Sequence, residues 1–377
     1  MRILYQGLLR SPASWARVGR GYLEGLLRLG LRAEAISPRG FLHDPRFPLS
    51  EGIIEVKIDD IRSGSPPDVG LGFLHPPHLG RLLGRLRANL FVWESDKLPA
   101  GWVEQLEQGT DLVLVPSEFT REALVSSSFP PEKVRVATYG FDERLLDVPP
   151  RTVETRLRQF TFLAVLAPHW RKGVAELLRA YRTAFDDGDR ALLRIKTTHD
   201  PANSRVRRSF EIPSWAEALQ AAGLMERGAP RVQLDVRVLN DDEIPAVYAG
   251  ADVVVAPTWG ESFGLVILEG LAAARPVLTT AWSGHMDFLP RGPDAIPYNL
   301  IEAGDRLYEP APLARFAVPV IEELASRMRW HFDHAEESGV LGVSARDCVA
   351  RLTWANAARR LVQVLSESVT SAGGQTS

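Results

Sequence analysis

The sequence predicts an α/β protein with two domains, each built on a mostly parallel sheet with helices on both faces. The chain of 377 residues is long enough for two domains at about 100–200 residues each. Short apolar segments alternate with helical patterns along most of its length, which is typical of parallel sheets. A polar stretch around Pro149 and Pro150 interrupts this alternation, which then restarts.

The first half of the chain contains the strand and helix patterns of one such domain. Gly7 ends its first apolar segment, and Glu34 interrupts the second. Helical patterns, in which apolar residues recur three and four positions apart, lie at 15–29, 102–107 and 118–125. The predicted strands are 2–7, 33–36, 69–74, 90–92, 112–115 and 134–137.

The second half repeats the alternation after the polar stretch. We therefore expect one domain over residues 1–150 and a second from residue 151 onward. The predicted strands are 161–166, 191–196, 232–238, 253–256 and 276–280, and the predicted helices are 174–185, 214–222, 244–249 and 263–274.

The composition excludes several classes of protein. Hydrophobic residues make up 45% of the chain and charged residues 24%, which excludes a disordered or fibrous protein. The 44 Lys and Arg against 47 Asp and Glu give a net charge of −3, so no basic surplus indicates nucleic-acid binding. The single Cys348 cannot form an internal disulfide, and the N-terminus lacks the pattern of a signal peptide. With no apolar run of about 18 residues, we expect a cytoplasmic protein.

The most informative stretch is a strand, a loop and a helix over residues 251–270. The strand ends at Pro257, and the helix opens near Phe263 and Gly264, where free backbone N–H groups and the helix dipole form an anion site. Glu269 is the only charged residue of this otherwise apolar helix. Because burying a carboxylate is costly without hydrogen bonds, it should face a polar partner.

Glu261 precedes the start of this helix, and Glu269 lies within it. Glu269 comes eight positions after Glu261, a rise of about 12 Å along a helix, which suits a ligand with hydroxyls at both ends and a phosphate between them. Two such glutamates alone are more typical of a loop cap and a buried structural carboxylate. Together with the strand, Pro257 and the Ser-Phe-Gly turn, they favour a ligand site.

A second strand, 161–166, leads through a loop to two cations at a helix start. Arg171 offers a planar fork and Lys172 a point charge, a suitable pair for a diphosphate, and Gly173 follows. The alternative is two solvated cations, although the helix dipole disfavours cations there. Because ligands of such sheets bind beyond the carboxyl ends of the strands, we expect a small molecule held between two Rossmann-like halves.

These motifs resemble the retaining glycosyltransferases of family 4, which have the GT-B fold and use nucleotide-activated sugars. The family signature of two glutamates with Phe-Gly between them is matched by Glu261-Ser-Phe-Gly-Leu-Val-Ile-Leu-Glu269. Lys172-Gly173 matches the Lys-Gly that opens a helix, and the similarity covers residues 90–290. Three further family features, a Pro-Ser turn, a Tyr-Gly-x-Asp and a helix-to-strand run, are matched at 111–122, 139–142 and 241–252.

The resemblance implies two Rossmann-like domains facing a central cleft, with 1–150 on the acceptor side, 151–355 binding the donor, and 356–377 crossing back. It implies transfer of a hexose, with retention of configuration, from a nucleoside diphosphate sugar to an acceptor hydroxyl. UDP or GDP is favoured as the nucleotide. No cofactor or metal is expected, because the cations are protein-borne. The acceptor is a sugar, a lipid-linked molecule or a small molecule, and peripheral contact with the inner membrane face stays open.

The resemblance also implies roles for individual residues. Glu269 would hold the ribose hydroxyls and Glu261 the hydroxyls of the donor sugar. Lys172, with Arg171, would neutralise the diphosphate leaving group. Val238 would line the base pocket. The other donor-site residues are Gly173 and the four whose N–H groups would cradle the sugar and the distal phosphate, Ser262, Phe263, Gly264 and Leu265.

Several positions of the first domain leave alternatives open. The loop that begins at Gly7 would approach the donor or the acceptor, with Arg17 as a phosphate contact. Many family members carry a His where Trp93 or Glu94 stands here; Glu94 would act on a hydroxyl or pair with a nearby cation. His75 follows a predicted strand and would point to the same cleft, or it is structural.

Three features of the second domain need an interpretation besides the matched motifs. Leu166 stands where many members carry an Arg, so Arg171 or His169 is expected to take that role. Asp187-Gly-Asp189 has the spacing of a metal motif in another glycosyltransferase fold, but turn chemistry explains it. The basic cluster 205–208 is expected to be solvated, with contact to an anionic acceptor or a membrane surface as the alternative.

Two rival functions remain on the same fold. One is a nucleotide-sugar epimerase, which isomerisation of the donor without an acceptor would indicate. The other is a non-catalytic module that binds nucleotide sugars or glycans, a reading that Trp93-Glu94 at the usual His position supports. Donor binding without turnover would indicate this second function.

Overall fold

The computed structural model describes residues 1–37, 43–203, 211–307, 310–311 and 313–373. The chain divides into two compact units: unit 1 is Met1–Asp142 with Arg351–Ser377, and unit 2 is Glu143–Ala350. The two divisions fall a few residues before those predicted at 150 and 355.

The described part of unit 1 contains one sheet of seven parallel strands. They are β1 (Ile3–Gln6), β2 (Ala33–Ile36), β3 (Ile53–Glu55), β4 (Val69–Gly72), β5 (Leu86–Leu90), β6 (Leu112–Val115) and β7 (Val134–Val136). Their order in the sheet is β3-β2-β1-β4-β5-β6-β7. The helices between them are α1 (Ser14–Arg28), α2 (Ile58–Ser63), α3 (Trp102–Gly109) and α4 (Glu118–Ser126).

Strand β2 keeps a charged residue inside the sheet. Glu34 is 1% exposed and pairs with Arg2 Nε at 2.8 Å and with Arg32 Nε at 2.7 Å. Two cations thus compensate the burial of one carboxylate, which explains how a strand forms across a position that interrupts the apolar pattern.

The described part of unit 2 contains a second parallel sheet. Its strands are β8 (Phe160–Val165), β9 (Ala191–Lys196), β10 (Arg231–Asp235), β11 (Val253–Ala256), β12 (Val277–Thr280) and β13 (Ala295–Ile296), in the order β10-β9-β8-β11-β12-β13. An antiparallel pair follows, β14 (Tyr298–Glu302) and β15 (Arg315–Pro319). The helices are α5 (Val153–Arg158), α6 (Val174–Ala184), α7 (Trp215–Ala221), α8 (Ile244–Ala249), α9 (Leu265–Ala272), α10 (Ile321–Asp333) and α11 (Ala335–Val349).

Packing at two places fixes the central strands of unit 2. In the core, the ring of Phe162 on β8 lies 6.2 Å from that of Tyr181 on α6 and 5.3 Å from that of Phe185. Directly before β11, Asp252 is fully buried and accepts a hydrogen bond from the Thr161 N–H at 2.7 Å. An ion pair with Arg151 at 3.1 Å balances its charge. These contacts hold β8 and β11 side by side.

After unit 2 the chain returns to unit 1 and forms α12 (Trp354–Gly373). Helices α1 and α12 approach closely because glycines face the contact. A Cβ at Gly21 would lie 2.3 Å from Cδ2 of Trp354, and one at Gly25 would lie 2.5 Å from Cβ of Ala358. Within the described residues, no helix is both long and apolar enough to cross a membrane.

Candidate active site

The carboxyl ends of β8 and β11 lie next to each other in the sheet of unit 2. From β8 the chain continues to β9 on one side, and from β11 to β12 on the other. Loops that leave such a switch point diverge and form the crevice in which ligands of open α/β sheets bind. Arg171, Lys172 and Glu261 lie in the two loops that follow these strands.

The two loops touch each other through their backbones. Gly173 has a φ of +67°, and a Cβ there would lie 1.9 Å from the carbonyl oxygen of Pro257. The Trp259 N–H donates to the Arg171 carbonyl at 2.8 Å, and the Thr258 hydroxyl donates to the same oxygen at 3.2 Å. Glycine is therefore required at 173 both for the backbone conformation and for the close approach.

An ion pair joins the loops at the crevice. Lys172 Nζ lies 2.5 Å from Glu261 Oε1. Arg171 Nη1 lies 3.7 Å from Glu261 Oε2 and donates to the carbonyl of Gly260. Burial alone would raise the pKa of Glu261, but the charges of Lys172 and Arg171 outweigh it and lower that pKa to about 2. The carboxylate is thus ionised at every physiological pH.

Of the two residues that could replace the family's Arg, the structure brings Arg171 to this cluster. The ring Nδ1 of His169 accepts the Arg171 backbone N–H at 3.0 Å and so caps the short turn that follows. Leu166 is 8% exposed and belongs to the core.

The loop after β12 fixes the backbone of Glu261. Its N–H donates to Ser283 Oγ at 2.9 Å, and its carbonyl accepts the Gly284 N–H at 2.9 Å. The neighbouring His285 is fully buried, and its Nε2 donates to the Thr280 carbonyl at 2.7 Å. Burial lowers the pKa of His285, which keeps the ring neutral. Its Nδ1 is then an acceptor, with no hydrogen-bond partner among the described residues.

Helix α9 starts beside this cluster and carries the second glutamate. The helix begins at Leu265, two residues later than predicted, after Gly264 with a φ of +92°. Glu269 is 2% exposed, and the Tyr248 hydroxyl donates to its Oε2 at 2.8 Å. Tyr248 is the polar partner that the burial of this carboxylate requires. Ser262 and Phe263, which precede the helix, are 5% and 3% exposed.

The prediction that Val238 lies in a strand is wrong. Strand β10 ends at Asp235, and Val238 is half-buried in the loop that follows. The loop is tied to the sheet by Lys196, which is 6% exposed and donates through Nζ to the carbonyls of Thr197, at 2.8 Å, and of Arg237. Of the apolar residues that continue the pattern past the strand, Val236 is 43% exposed and Val238 is half-buried, so the pattern does not report burial in a strand here.

Unit 1 has its own switch point, between β1 and β4. Gly7 directly follows β1, and a Cβ there would lie 2.7 Å from the Tyr5 hydroxyl. Arg17 is half-buried on α1. His75 follows β4, and its ring lies 6.0 Å from that of Trp15 and 4.6 Å from that of Trp102. Gly7, predicted for the acceptor side, and His75, a candidate catalytic residue, thus lie beyond the carboxyl ends of adjacent strands of unit 1.

The structure separates the two candidates that follow β5. Trp93 is 1% exposed, and its Nε1 donates to Ser95 Oγ at 2.9 Å and to the Lys97 carbonyl at 2.6 Å. Its ring packs 5.0 Å from that of Trp102. Glu94 is half-buried. Of the two, Glu94 is the residue that keeps access to solvent.

Of the two remaining motifs of the second domain, Asp187-Gly-Asp189 lies away from the crevice, and the basic cluster lies outside the residues that the structure describes. Asp189 Oδ1 accepts from Arg329 Nη1 at 2.8 Å, and the Gly188 N–H donates to Asp186 at 2.8 Å, as in a turn. The cluster 205–208 lies outside the described residues. Among the residues described, no group of three or more His, Cys, Asp or Glu could hold a metal ion.

Sequence reasoning missed the residues that support the site. Thr258, Ser283, His285 and Tyr248 contact the predicted residues from other loops or helices. One signal was available for Tyr248, since a buried carboxylate on α9 needs a hydroxyl or amide donor from a neighbouring element. No such signal was available for the other three residues, because they bond to backbone atoms or interact only electrostatically.

The comparisons with known proteins concern the sequence of unit 2 and the fold of the chain. Residues 158–309, which lie within unit 2, match the profile of the family Glycosyl transferases group 1. The D-inositol 3-phosphate glycosyltransferase of Corynebacterium kroppenstedtii is 25% identical over 198 residues, which cover 52% of this chain and 38% of that protein. The enzyme of that name from Thermobispora bispora is 25% identical over 293 residues, covering 74% of this chain. The matches span 38% and 62% of the length of these two relatives.

Solved structures resemble the whole chain. Sucrose-phosphate synthase from Thermosynechococcus elongatus aligns with a TM-score of 0.71 at 15% identity, covering 98% of this chain and 100% of that one. HepE from Anabaena, solved with UDP-glucose, aligns with a TM-score of 0.69 at 15% identity, covering 97% and 100%. The fold is that of the GT-B glycosyltransferases, and the predicted resemblance to these glycosyltransferases is confirmed. Membership of family 4 and retention of configuration stay predictions.

Proposed function

We propose that this protein is a glycosyltransferase that moves a hexose from a nucleoside diphosphate sugar to an acceptor hydroxyl, with retention of configuration and without a metal ion. The observation that carries the proposal is the cluster of Lys172, Arg171 and Glu261 beside the start of α9, at the switch point of the sheet. Two cations, the N-terminal end of a helix and a carboxylate meet there, as the phosphates and the sugar of a nucleotide sugar require.

Each part of the donor has its own residues in unit 2. Lys172 and Arg171 neutralise the diphosphate, and Gly173 lets the backbone approach it. Glu261 accepts hydrogen bonds from the hydroxyls of the sugar, and Glu269 from those of the ribose. Val238 lines the base pocket. The N–H groups that cradle the sugar and the distal phosphate belong to Ser262, Phe263, Gly264 and Leu265.

Catalysis rests on position and charge. The acceptor hydroxyl attacks the anomeric carbon on the face from which the diphosphate departs. One C–O bond to the acceptor forms, the C–O bond to the phosphate breaks, and the acceptor proton passes to the leaving phosphate. Because Lys172 and Arg171 stand where negative charge develops, they stabilise the transition state more than the ground state.

Unit 1 supplies the acceptor side. Gly7, Arg17, His75 and Glu94 belong to loops or helix starts at the carboxyl edge of its sheet. His75 or Glu94 orients the acceptor hydroxyl, and Arg17 contacts a phosphate of the donor or of the acceptor. A hydroxyl-bearing sugar, lipid-linked sugar or small cyclitol fits this role, and D-inositol 3-phosphate, named in the matched relatives, is the first acceptor to try.

The test is turnover with an identified product. UDP-glucose is the first donor, because a structural neighbour was solved with it, followed by GDP-mannose. We expect release of the nucleoside diphosphate, a product with the anomeric configuration of the donor by proton NMR, and no loss of rate with EDTA. Lys172→Ala should abolish turnover, whereas Lys57→Ala, an exposed lysine of unit 1, should not.

Three results would contradict parts of this proposal. An inverted product would exclude retention. Isomerisation of the donor without an acceptor would indicate an epimerase. Tight donor binding with neither transfer nor slow hydrolysis, over a broad acceptor panel, would indicate a non-catalytic binding module.

A further inference from the structure

We infer that Glu261 makes the site distinguish a nucleotide sugar from the bare nucleoside diphosphate, by occupying Lys172 until sugar hydroxyls engage the carboxylate. The inference rests on the proposed function, and it goes beyond that function's assignment of Glu261 to sugar binding. It concerns two ligands that share the same base, ribose and phosphates, and differ in the sugar.

The first step is the competition for Lys172. Its Nζ lies 2.5 Å from Glu261 Oε1, and the two side chains are 25% and 17% exposed. In such a partly desolvated pair, the carboxylate cancels much of the field that a phosphate would feel. Arg171 does not make up for this, because its Nη1 lies 3.7 Å from the other oxygen of the same carboxylate and donates to the Gly260 carbonyl.

The second step is that the backbone of Glu261 is held in place and that its carboxylate keeps its charge. Hydrogen bonds to Ser283 Oγ and from the Gly284 N–H, both at 2.9 Å, hold its backbone on the loop after β12. Although burial raises its pKa, Lys172 and Arg171 lower it to about 2, so the group stays ionised. A diphosphate that enters the crevice therefore meets an ionised carboxylate paired with Lys172.

The third step is what the sugar changes. A carboxylate only accepts hydrogen bonds, and its two oxygens have about four lone-pair positions. Sugar hydroxyls are donors, and hydrogen bonds to a charged group are among the stronger ones. When the sugar binds, its hydroxyls donate hydrogen bonds to the Glu261 carboxylate in place of Lys172. The Lys172 side chain then turns to the phosphates. After transfer the sugar leaves, Glu261 takes Lys172 back, and the diphosphate is released.

The test compares each nucleoside diphosphate with its sugar form. Dissociation constants are measured by calorimetry for UDP, GDP, ADP and dTDP and for their glucose derivatives, with wild type, Glu261→Gln, Glu261→Asp and Glu336→Gln. Gln keeps the shape of the side chain without its charge, and Asp keeps the charge. Glu336 is an exposed carboxylate on α11 and serves as the matched control.

We expect Glu261→Gln to bind the bare nucleoside diphosphate about tenfold more tightly than wild type, and its sugar derivative no more tightly. Glu261→Asp and Glu336→Gln should not gain affinity for the diphosphate. A misfolded variant cannot imitate this result, because the expected change is a gain of affinity.

Two outcomes separate failure of the inference from failure of the proposed function. If wild type binds a nucleoside diphosphate and Glu261→Gln binds it equally or more weakly, the inference is wrong and the proposed site stands. If wild type binds none of the eight ligands, both fall.

Discussion

At the scale of single residues, the carboxylates of the candidate site have polar partners within the protein itself. Glu261 forms an ion pair with Lys172 at 2.5 Å, and Glu269 accepts a hydrogen bond from the Tyr248 hydroxyl at 2.8 Å. Each carboxylate is mostly buried, so its position depends on that partner. Changes to the partners should therefore alter ligand binding even where the glutamates are untouched.

Tyr248→Phe tests whether the orientation of Glu269 matters for the nucleotide. Loss of the hydroxyl leaves a buried carboxylate oxygen with one donor fewer, so the free energy of unfolding should fall by about 1–3 kcal/mol. Affinity for the nucleoside diphosphate should fall about fivefold. In Tyr181→Phe, which loses a buried hydrogen bond to the Arg231 carbonyl, stability should fall and affinity should hold. Equal affinities in the two variants would contradict a role for Glu269 in binding.

The depressed pKa of Glu261 predicts a contribution to acid stability. Its ordinary pKa is 4.5 and its pKa in the folded protein is about 2. Between these values the unfolded chain takes up a proton that the folded protein does not, so the free energy of unfolding decreases as the pH falls from 4.5 toward 2. Urea unfolding across this range should show a shallower decrease for Glu261→Gln than for Glu336→Gln. The same slope in both variants would contradict the ion pair.

At the scale of elements, the turns that end β8 and β11 decide whether the cluster forms. Gly173 and Gly264 both adopt positive φ, at +67° and +92°, directly before α6 and α9. At Gly173 the neighbouring Pro257 carbonyl leaves no room for a side chain. This close approach brings Lys172 to Glu261, although 89 residues separate them in sequence.

Gly173→Ala should separate the two loops. Alanine at this φ costs about 1 kcal/mol wherever it stands, and here its Cβ would also lie 1.9 Å from the Pro257 carbonyl. Gly228→Ala is the matched control, since Gly228 has a φ of +81° and nothing within 4 Å of an added Cβ. Both variants should lose thermal stability, but Gly173→Ala should lose more and should also bind nucleotide about tenfold more weakly. Unchanged nucleotide affinity in Gly173→Ala would contradict the account.

The apolar periodicity of the sequence predicted the alternation of strands and helices but not all of its boundaries. The strand predicted at 90–92 is β5, which starts earlier because Arg87 and Asn89 hide the pattern; Asn89 bonds the backbone of Leu74 instead of solvent. Strand β3, Ile53–Glu55, is only three residues long and has no buried residue, so its two isoleucines give too short a pattern to predict a strand. Conversely, Val236 and Val238 lie in the loop after β10 but continue its apolar alternation, so the predicted strand extended too far, to Val238.

The sequence could predict the residues of the candidate site that belong to a local motif. It could not predict those that the order of the strands brings to the site. Glu261 and Lys172 shortly precede helices and Glu269 lies within one, each in a recognisable motif. Ser283 and His285 belong to another loop, and their contact with Glu261 depends on β12 lying next to β11. No spacing in the sequence contains that information.

At the scale of the whole molecule, the chain forms two units with separate sheets and separate cores, and its C-terminal helix completes the first. Trp354 of α12 lies 5.5 Å from the ring of Tyr22 and 6.3 Å from that of Tyr139, both in unit 1. The proposed donor site lies in unit 2. Damage to α12 should therefore affect one unit and spare nucleotide binding.

Trp354→Ala should remove about 3 kcal/mol from the stability of unit 1. Hydrogen exchange should become faster in unit 1 and stay the same in unit 2, with nucleotide affinity unchanged. Trp330→Ala is the mirror control, since Trp330 is a half-buried ring of unit 2 stacked on His334 at 4.9 Å. It should loosen unit 2 alone. Equal effects of both changes on the two units would contradict this division.

The central claim is that a nucleoside diphosphate binds where Lys172 and Glu269 meet the carboxyl ends of β8 and β11. Calorimetric titration of UDP, GDP, ADP and dTDP into wild type, Lys172→Ala, Glu269→Ala and Lys57→Ala tests it most directly. We predict that one nucleotide binds wild type and Lys57→Ala equally, and binds the other two variants about tenfold or more weakly. If no nucleotide binds wild type, or if all variants bind alike, the fold stands but the proposed site does not.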